Sequence, residues 1–197
     1  VRGFMVKKLV VLVGLAGSGK TTFCEKHPEW AVVSKDHIRR MIFHRDFDLP
    51  YEEAVDRIFA AALVEAVDSP AEVICVDNTN LTREERRSLI EVARLSGREP
   101  TAYVMPLPSL ETLYSRKQVQ LQELASEHPE IRVGGFERAR YERIYRSYEP
   151  ISDDEEFARV IREVLPLQPR KTKRIRKVSR ARVKKAPELK PLPLFAQ

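Results

Sequence analysis

Eight residues, Gly14-Leu15-Ala16-Gly17-Ser18-Gly19-Lys20-Thr21, satisfy every fixed position of the phosphate-binding pattern G-x-x-x-x-G-K-[ST]. Glycines there let successive backbone N–H groups curl inward on phosphate oxygens, and a following helix adds the partial positive charge of its N-terminus. Lys20 is expected to reach the β- and γ-phosphates of a nucleoside triphosphate, with the Thr21 hydroxyl on Mg²⁺. Gly14, Gly17, Ser18, Gly19 and Thr22 complete the expected cradle. The alternative is a chance glycine-rich turn. Its context argues against that: the apolar run Lys8–Val13 reads as a buried strand, and Thr21–Lys26 can continue as a helix.

Two carboxylates follow other expected strands. Asp36, in Ser34-Lys35-Asp36-His37-Ile38-Arg39, stands where it can accept and orient the proton of an attacking hydroxyl. Capping a helix is the competing role, and one residue can do both. Arg39, three residues on, shares a helical face with Asp36 and either holds a substrate phosphate or pairs with Asp36. Asp77 ends an apolar strand, the usual place for an acid that binds Mg²⁺ through water; its alternative is a hydrogen-bonded acid fixing the loop. Asn78, Thr79 and Asn80 are expected to build a tight polar turn. Arg116 and Lys117 are candidates for a lid that meets charge developing on phosphoryl oxygens, against the plainer reading of a solvated face. His37 and His44 lack ligand-like spacing and read as surface or helix-end residues.

These residues need a scaffold, and the chain alternates strand and helix patterns to supply one. Strands are expected at Ala31–Ser34, Glu72–Asp77 and Thr101–Met105, with helices from Asp36 to Phe43, Tyr51 to Ser69 and Leu110 to Leu124. Thr82-Arg83-Glu84-Glu85 is a capping-box pattern opening a helix that Gly97 is placed to stop. Residues 126–135 read as a mobile connection and Phe136 to Tyr148 as an Arg- and Tyr-rich helix. Residues 157–161 fit a last edge strand, or a helix whose first turn holds the acids at 153–156. Alternation of this kind predicts an α/β fold, a parallel sheet with helices on both faces and ligands at the carboxyl ends of the strands.

Composition narrows the class. Of 197 residues, 43% are hydrophobic, enough for a core, and the length suits one domain plus an appendage. No apolar run approaches the roughly 20 residues of a membrane span, and nothing before the first strand reads as a secretory signal. Val1 to Phe4, ahead of Met5, are given no function. Two isolated cysteines, Cys24 and Cys75, are expected as buried thiols in a reducing compartment, and the expected location is cytoplasmic. The net charge of +6 is uneven: residues 166–197 hold eleven Lys/Arg and one acid, while residues 1–165 are net −4. The division is therefore a catalytic domain over 1–165 and a basic, proline-containing tail over 166–197, expected to be disordered alone. With Phe195 its only aromatic, the tail offers phosphate contacts over 170–190 and almost no base stacking.

Taken together, GLAGSGKTT, SKDHIR, VDNTNLTREERRSLIEVARLSG, an Arg-bearing helix and RYERIYRSYEP resemble the 5′-hydroxyl polynucleotide kinase family and related AAA-type ATP-binding proteins. The resemblance runs from about Lys7 to Ile161. It implies a P-loop kinase fold with a helical lid, ATP and Mg²⁺ held by Lys20 and Thr21, Asp36 as general base on a 5′-OH of RNA or DNA, Arg39 on the adjacent phosphate, and Asp77 close to the metal. Family members carry two lid arginines four residues apart; here Arg116 is followed at the second position by Gln120. Either the rate falls, or Lys117 substitutes as a point charge of poorer geometry. The guanine-reading Asn-Lys-x-Asp of GTPases is absent, which favours ATP. A kinase of sugars, nucleosides or antibiotics, and an ATP-dependent nucleic-acid-binding module with weak turnover, are the other functions these residues suit.

Overall fold

The computed structural model describes residues 6–162. Five parallel strands form one sheet: β1 (Lys8–Val13), β2 (Ala31–Val33), β3 (Val73–Val76), β4 (Glu99–Val104) and β5 (Arg159–Arg162), in spatial order β2-β3-β1-β4-β5. β1 lies at the centre, with Val10 opposite Cys75 on one side and Thr101 on the other. Five of its six residues are buried, as a strand covered on both faces must be.

Alternation along β1 splits the core in two. Leu9, Val11 and Val13 face one layer, where α3 (Glu52–Asp68) contributes Leu63 and Val67 and α4 (Arg83–Leu95) contributes Leu89 and Ala93. Val10 and Leu12 face the other, against Phe23 and Cys24 of α1 (Lys20–Cys24) and Met105. This is the expected α/β architecture, with helices on both faces of a parallel sheet. α1 is shorter than the sequence suggests, ending at Cys24 with a turn over 25–27. Both cysteines are buried and free, but they are not isolated: their sulfurs lie 3.7 Å apart across the α1–β3 contact.

The capping box forms in full. Thr82 Oγ1 accepts from the Glu85 amide, and the Glu85 carboxylate accepts from the Thr82 amide. The acids at 153–155 make a single 3₁₀ turn, and the chain then enters β5 as an edge strand, not a helix. α2 (Lys35–Phe43) follows β2, and α5 (Leu110–Glu127) and α6 (Arg138–Arg146) cover the carboxyl end of the sheet. There Leu15, Leu81, Leu113 and Tyr141 form a third apolar cluster. The connection 128–137 is not loose coil throughout, since Arg132 pairs with Arg45 and exchanges backbone hydrogen bonds with His44 and Asp46. The expected division at 165/166 and the basic tail lie outside the described residues.

Candidate functional site

Gly17 and Gly19 adopt the left-handed conformation, at φ 83° and 99°, which side chains disfavour. A Cβ on Gly17 would also meet the Leu113 carbonyl oxygen at 2.5 Å. The loop is tied down from three sides. The Gly14 amide donates to Thr79 O, Tyr141 Oη donates to Ala16 O at 2.6 Å, and Leu113 presses on Gly17. Lys20 folds onto its own loop, donating to Gly14 O at 2.8 Å and Leu15 O at 2.9 Å. Burial pushes its pKa down, while the charges of Asp77 and Asp36 work to hold the proton on.

The strand ends bring the sequence-predicted residues together. Asp36 stands in the first turn of α2, with its side chain half exposed. Burial resists its charge, but Lys117, Arg39, Arg40 and Lys20 outweigh it and hold the carboxyl below the usual range. Arg39 is fully engaged: Nη1 donates to Asp36 at 2.5 Å, while Nε and Nη2 fork onto Glu52 at 2.8 and 2.6 Å. The structure therefore places Arg39 beside Asp36 in the paired arrangement. Asn78 and Asn80 build the polar turn: Asn78 Oδ1 accepts from the Lys35 amide at the start of α2, and Asn80, at φ 47°, donates from Nδ2 to Leu12 O. Arg116 is half buried above Gly17, its Cβ 3.5 Å from the position a Cβ on that glycine would take. Gln120 is likewise half buried one turn on. His37 is exposed and His44 closes α2 in left-handed geometry.

A family model described as an AAA domain matches residues 9–144, which include the phosphate loop, α2 with Asp36, and the β3 end. The chain belongs to this AAA-domain family. No curated protein matches it. Among solved structures, the domain resembles a chain of the Pnkp1/Rnl/Hen1 RNA repair complex at 21% identity and TM-score 0.57, over 74% of this chain and 45% of that one. It also resembles a putative kinase from Chloroflexus aurantiacus (14%, TM-score 0.57, 80% and 87% covered) and Kti12 from Chaetomium thermophilum in complex with ADP-AlF3 (18%, 0.50, 79% and 88%). These likenesses establish a P-loop kinase-like fold. The chain spans less than half the length of the RNA-repair chain it matches.

The fold of this AAA domain implies ATP with Mg²⁺, and the residues present fit both. Ser18 Oγ is buried with no hydrogen-bond partner, in a loop whose Gly17 and Gly19 take left-handed geometry. Thr21 Oγ1 and Asp77 Oδ2 lie 3.5 Å apart, a hard-oxygen pair of the kind Mg²⁺ takes. Among the described residues no group of three His, Cys, Asp or Glu is arranged for a metal. Bound there, Mg²⁺ would neutralise phosphate charge. Burial pushes the Asp77 carboxyl upward, Lys20 pulls it down, and the Asp36 charge raises it again. If Asp77 serves the ion, directly or through water, Mg²⁺ affinity is expected to weaken as pH falls through this raised pKa, at higher pH than for an ordinary carboxylate near about 3.9. Asp77→Asn is expected to weaken Mg²⁺ by about 10- to 100-fold and to flatten that pH dependence, as read by Mg²⁺ titration of the ATP-induced melting shift.

Four participants escape sequence reasoning. Glu52, the first residue of α3, looks like any first-turn acid. Asp46 sits in the α2–α3 connection with no pattern around it, yet is buried between Arg40 and Lys117. Tyr141 had a signal only as an aromatic in an Arg-rich helix. Phe47, whose ring lies 5.6 Å from the Arg39 guanidinium and 3.4 Å from that of Arg140, had none.

Proposed function

We propose that this chain is an ATP-dependent phosphotransferase whose acceptor is the 5′-OH end of RNA or DNA, with residues 1–165 as the catalytic domain. The observation that carries the reading is Asp36: a half-exposed carboxylate, held ionised by Lys117, Arg39, Arg40 and Lys20, at the strand end beside the phosphate loop. In this reading the acceptor oxygen bonds to the γ-phosphorus as the bond from that phosphorus to the departing ADP oxygen breaks, and Asp36 takes the hydroxyl proton. Lys20 holds the phosphates, Thr21 and Asp77 hold Mg²⁺, and Arg116 reaches over the loop.

Acceptor-side chemistry supports a nucleic acid. Arg140 stacks on Phe47 beside Arg39, and Arg45 stacks on Tyr51 at 4.6 Å, so cations and π-faces alternate there as in single-strand binders. The tail over 166–197 is read as a non-specific phosphate tether. One observation favours an uncharged alcohol, a sugar or nucleoside, as the second reading: Arg39 is already neutralised by Glu52 and Asp36.

Incubating the protein with ATP labelled on the γ-phosphate decides between them. Label is expected on 5′-OH oligonucleotides and not on 5′-phosphorylated ones. Label on metabolite alcohols alone would select the second reading. Tight oligonucleotide binding with no transfer to any acceptor would leave an ATP-dependent binding module.

A further inference from the structure

Both cysteines of the chain meet at one contact. Cys24 closes α1, and Cys75 lies in β3 opposite Val10 and Val32 of the flanking strands. Their sulfurs are 3.7 Å apart, in an otherwise apolar cluster. A second contact runs beside this one. Thr21 Oγ1 and Asp77 Oδ2 approach to 3.5 Å; Thr21 precedes Cys24 by three residues, and Asp77 follows Cys75 by two. Residues three apart on a helix share a face, as do residues two apart along a strand. α1 therefore rests on β3 by two rungs, one of the oxygens assigned to Mg²⁺ and one of thiols. It has only five residues and begins at Lys20, so movement at one rung is felt at the other.

The two thiols are unequal. Cys24 keeps 9% of its surface exposed and Cys75 none. Cys24 also stands one turn after Lys20, on the same face and in electrostatic contact with it, the electropositive setting in which a cysteine reacts. The contact with Cys24, and burial after it, push the Cys75 thiol up, so Cys75 keeps its proton. An oxidant entering from solvent meets Cys24 first, with Cys75 already placed to resolve the product.

We propose that Cys24 and Cys75 form a reversible disulfide under hydrogen peroxide, and that closing it weakens Mg·ATP binding at the phosphate loop. Peroxide transfers one oxygen to Cys24 Sγ, giving a sulfenic acid, and leaves as water. Cys75 Sγ then bonds to Cys24 Sγ as the S–O bond breaks, and the Cys75 proton departs with the hydroxide as a second water. The thiols give up two electrons and the peroxide accepts them. The sulfurs close from 3.7 Å to about 2.0 Å, which draws α1 onto β3 at Cys24 and shifts Thr21 from its place opposite Asp77. The effect on nucleotide rests on the ATP reading of the loop; the bond itself does not.

The test treats reduced protein with hydrogen peroxide, caps free thiols with iodoacetamide, and measures peptide masses and Mg·ATP affinity. Expected are a crosslinked peptide joining Cys24 to Cys75 and an Mg·ATP affinity lower by about 10-fold, both reversed by dithiothreitol. Cys75→Ala is expected to stop at the sulfenic acid, trapped by dimedone on Cys24, and to keep its Mg·ATP affinity within about twofold. Two thiols that both remain open to iodoacetamide in the folded protein would overturn the proposal, as would a crosslinked protein that binds Mg·ATP like the reduced one. A loss in Cys75→Ala as large as in wild type, or one that dithiothreitol does not restore, would assign the effect to oxidation elsewhere, such as Met105, and overturn it too. Reduced protein that binds no Mg·ATP would sink the ATP reading and the second half of the proposal with it, while the crosslink is still decided by mass.

Discussion

Asp36→Asn is expected to lower the rate of phosphoryl transfer by roughly 10²- to 10⁴-fold and to leave Mg·ADP affinity within about twofold, because the proposed role of Asp36 is on the acceptor and not on the nucleotide. The substitution keeps shape and removes the acceptor of the hydroxyl proton. Single-turnover transfer from ATP measures the first quantity and equilibrium titration the second; a loss of less than tenfold would exclude Asp36 as the base. The charge environment adds a pH signature. Four cations, led by Lys117, hold the Asp36 carboxyl below its ordinary value against the opposing effect of burial. A lowered carboxyl stays ionised until the pH falls below about 3.9, so Asp36 contributes no acid limb to the rate between pH 5 and 8. Such a carboxylate is a weak base. That suffices where bond breaking to the leaving group runs ahead of proton transfer, and orientation of the hydroxyl is the larger part of the task. Asp77 differs in sign, its carboxyl being pushed upward by burial and by the Asp36 charge.

What the sequence reveals and what it hides differ in range. The run Lys8–Val13 is a strand over its full predicted length because its apolar residues are contiguous, and Thr82 with Glu85 caps a helix through contacts three residues apart. Asp36, Asp77 and the phosphate loop converge because parallel topology sends every strand end to one side. Each of these follows from local pattern or from connectivity. Glu52 and Asp46 are different. Glu52 forks onto Arg39 only because α3 packs beside α2, and Asp46 is buried only where α2, α5 and residues 131–132 meet. Neither contact leaves a periodic trace. β5 is ambiguous for another reason: four residues on a sheet edge, mostly exposed, carry little hydrophobic pattern, and the acids before them imitate a helix start. Lys117 is half legible: on a polar helix it reads as a lid candidate or as a solvated charge, and its burial shows only once α5 packs Leu113 against Gly17.

The same distinction locates the largest expected loss of stability far from any motif. Arg86 of α4 is fully buried and forks onto Glu155, with Nε and Nη2 at 2.6 and 2.7 Å from the two carboxylate oxygens. Its Nη1 donates to the carbonyls of Asn80 and Leu81, at 3.3 and 2.7 Å. Glu155→Gln removes one charge and leaves the other buried without compensation, for an expected loss of about 3–5 kcal/mol by urea denaturation. Replacing both residues together with apolar ones, Arg86→Met with Glu155→Leu, is expected to cost much less, because no unpaired charge remains. Burial resists ionisation of Glu155, but Arg86 and the Ser152 amide outweigh it and lower its pKa. The stabilisation is therefore complete above the unfolded value near about 4.3 and is lost as pH falls through the lower folded one. The pair also bears on the site. Arg86 fixes the Asn80–Leu81 backbone, the adjacent Thr79 carbonyl holds the Gly14 amide, and Gly14 opens the phosphate loop. Glu155→Gln should accordingly weaken ATP under conditions where the protein is still folded, whereas ATP affinity equal to wild type in the folded variant would show that the loop does not depend on this ion pair.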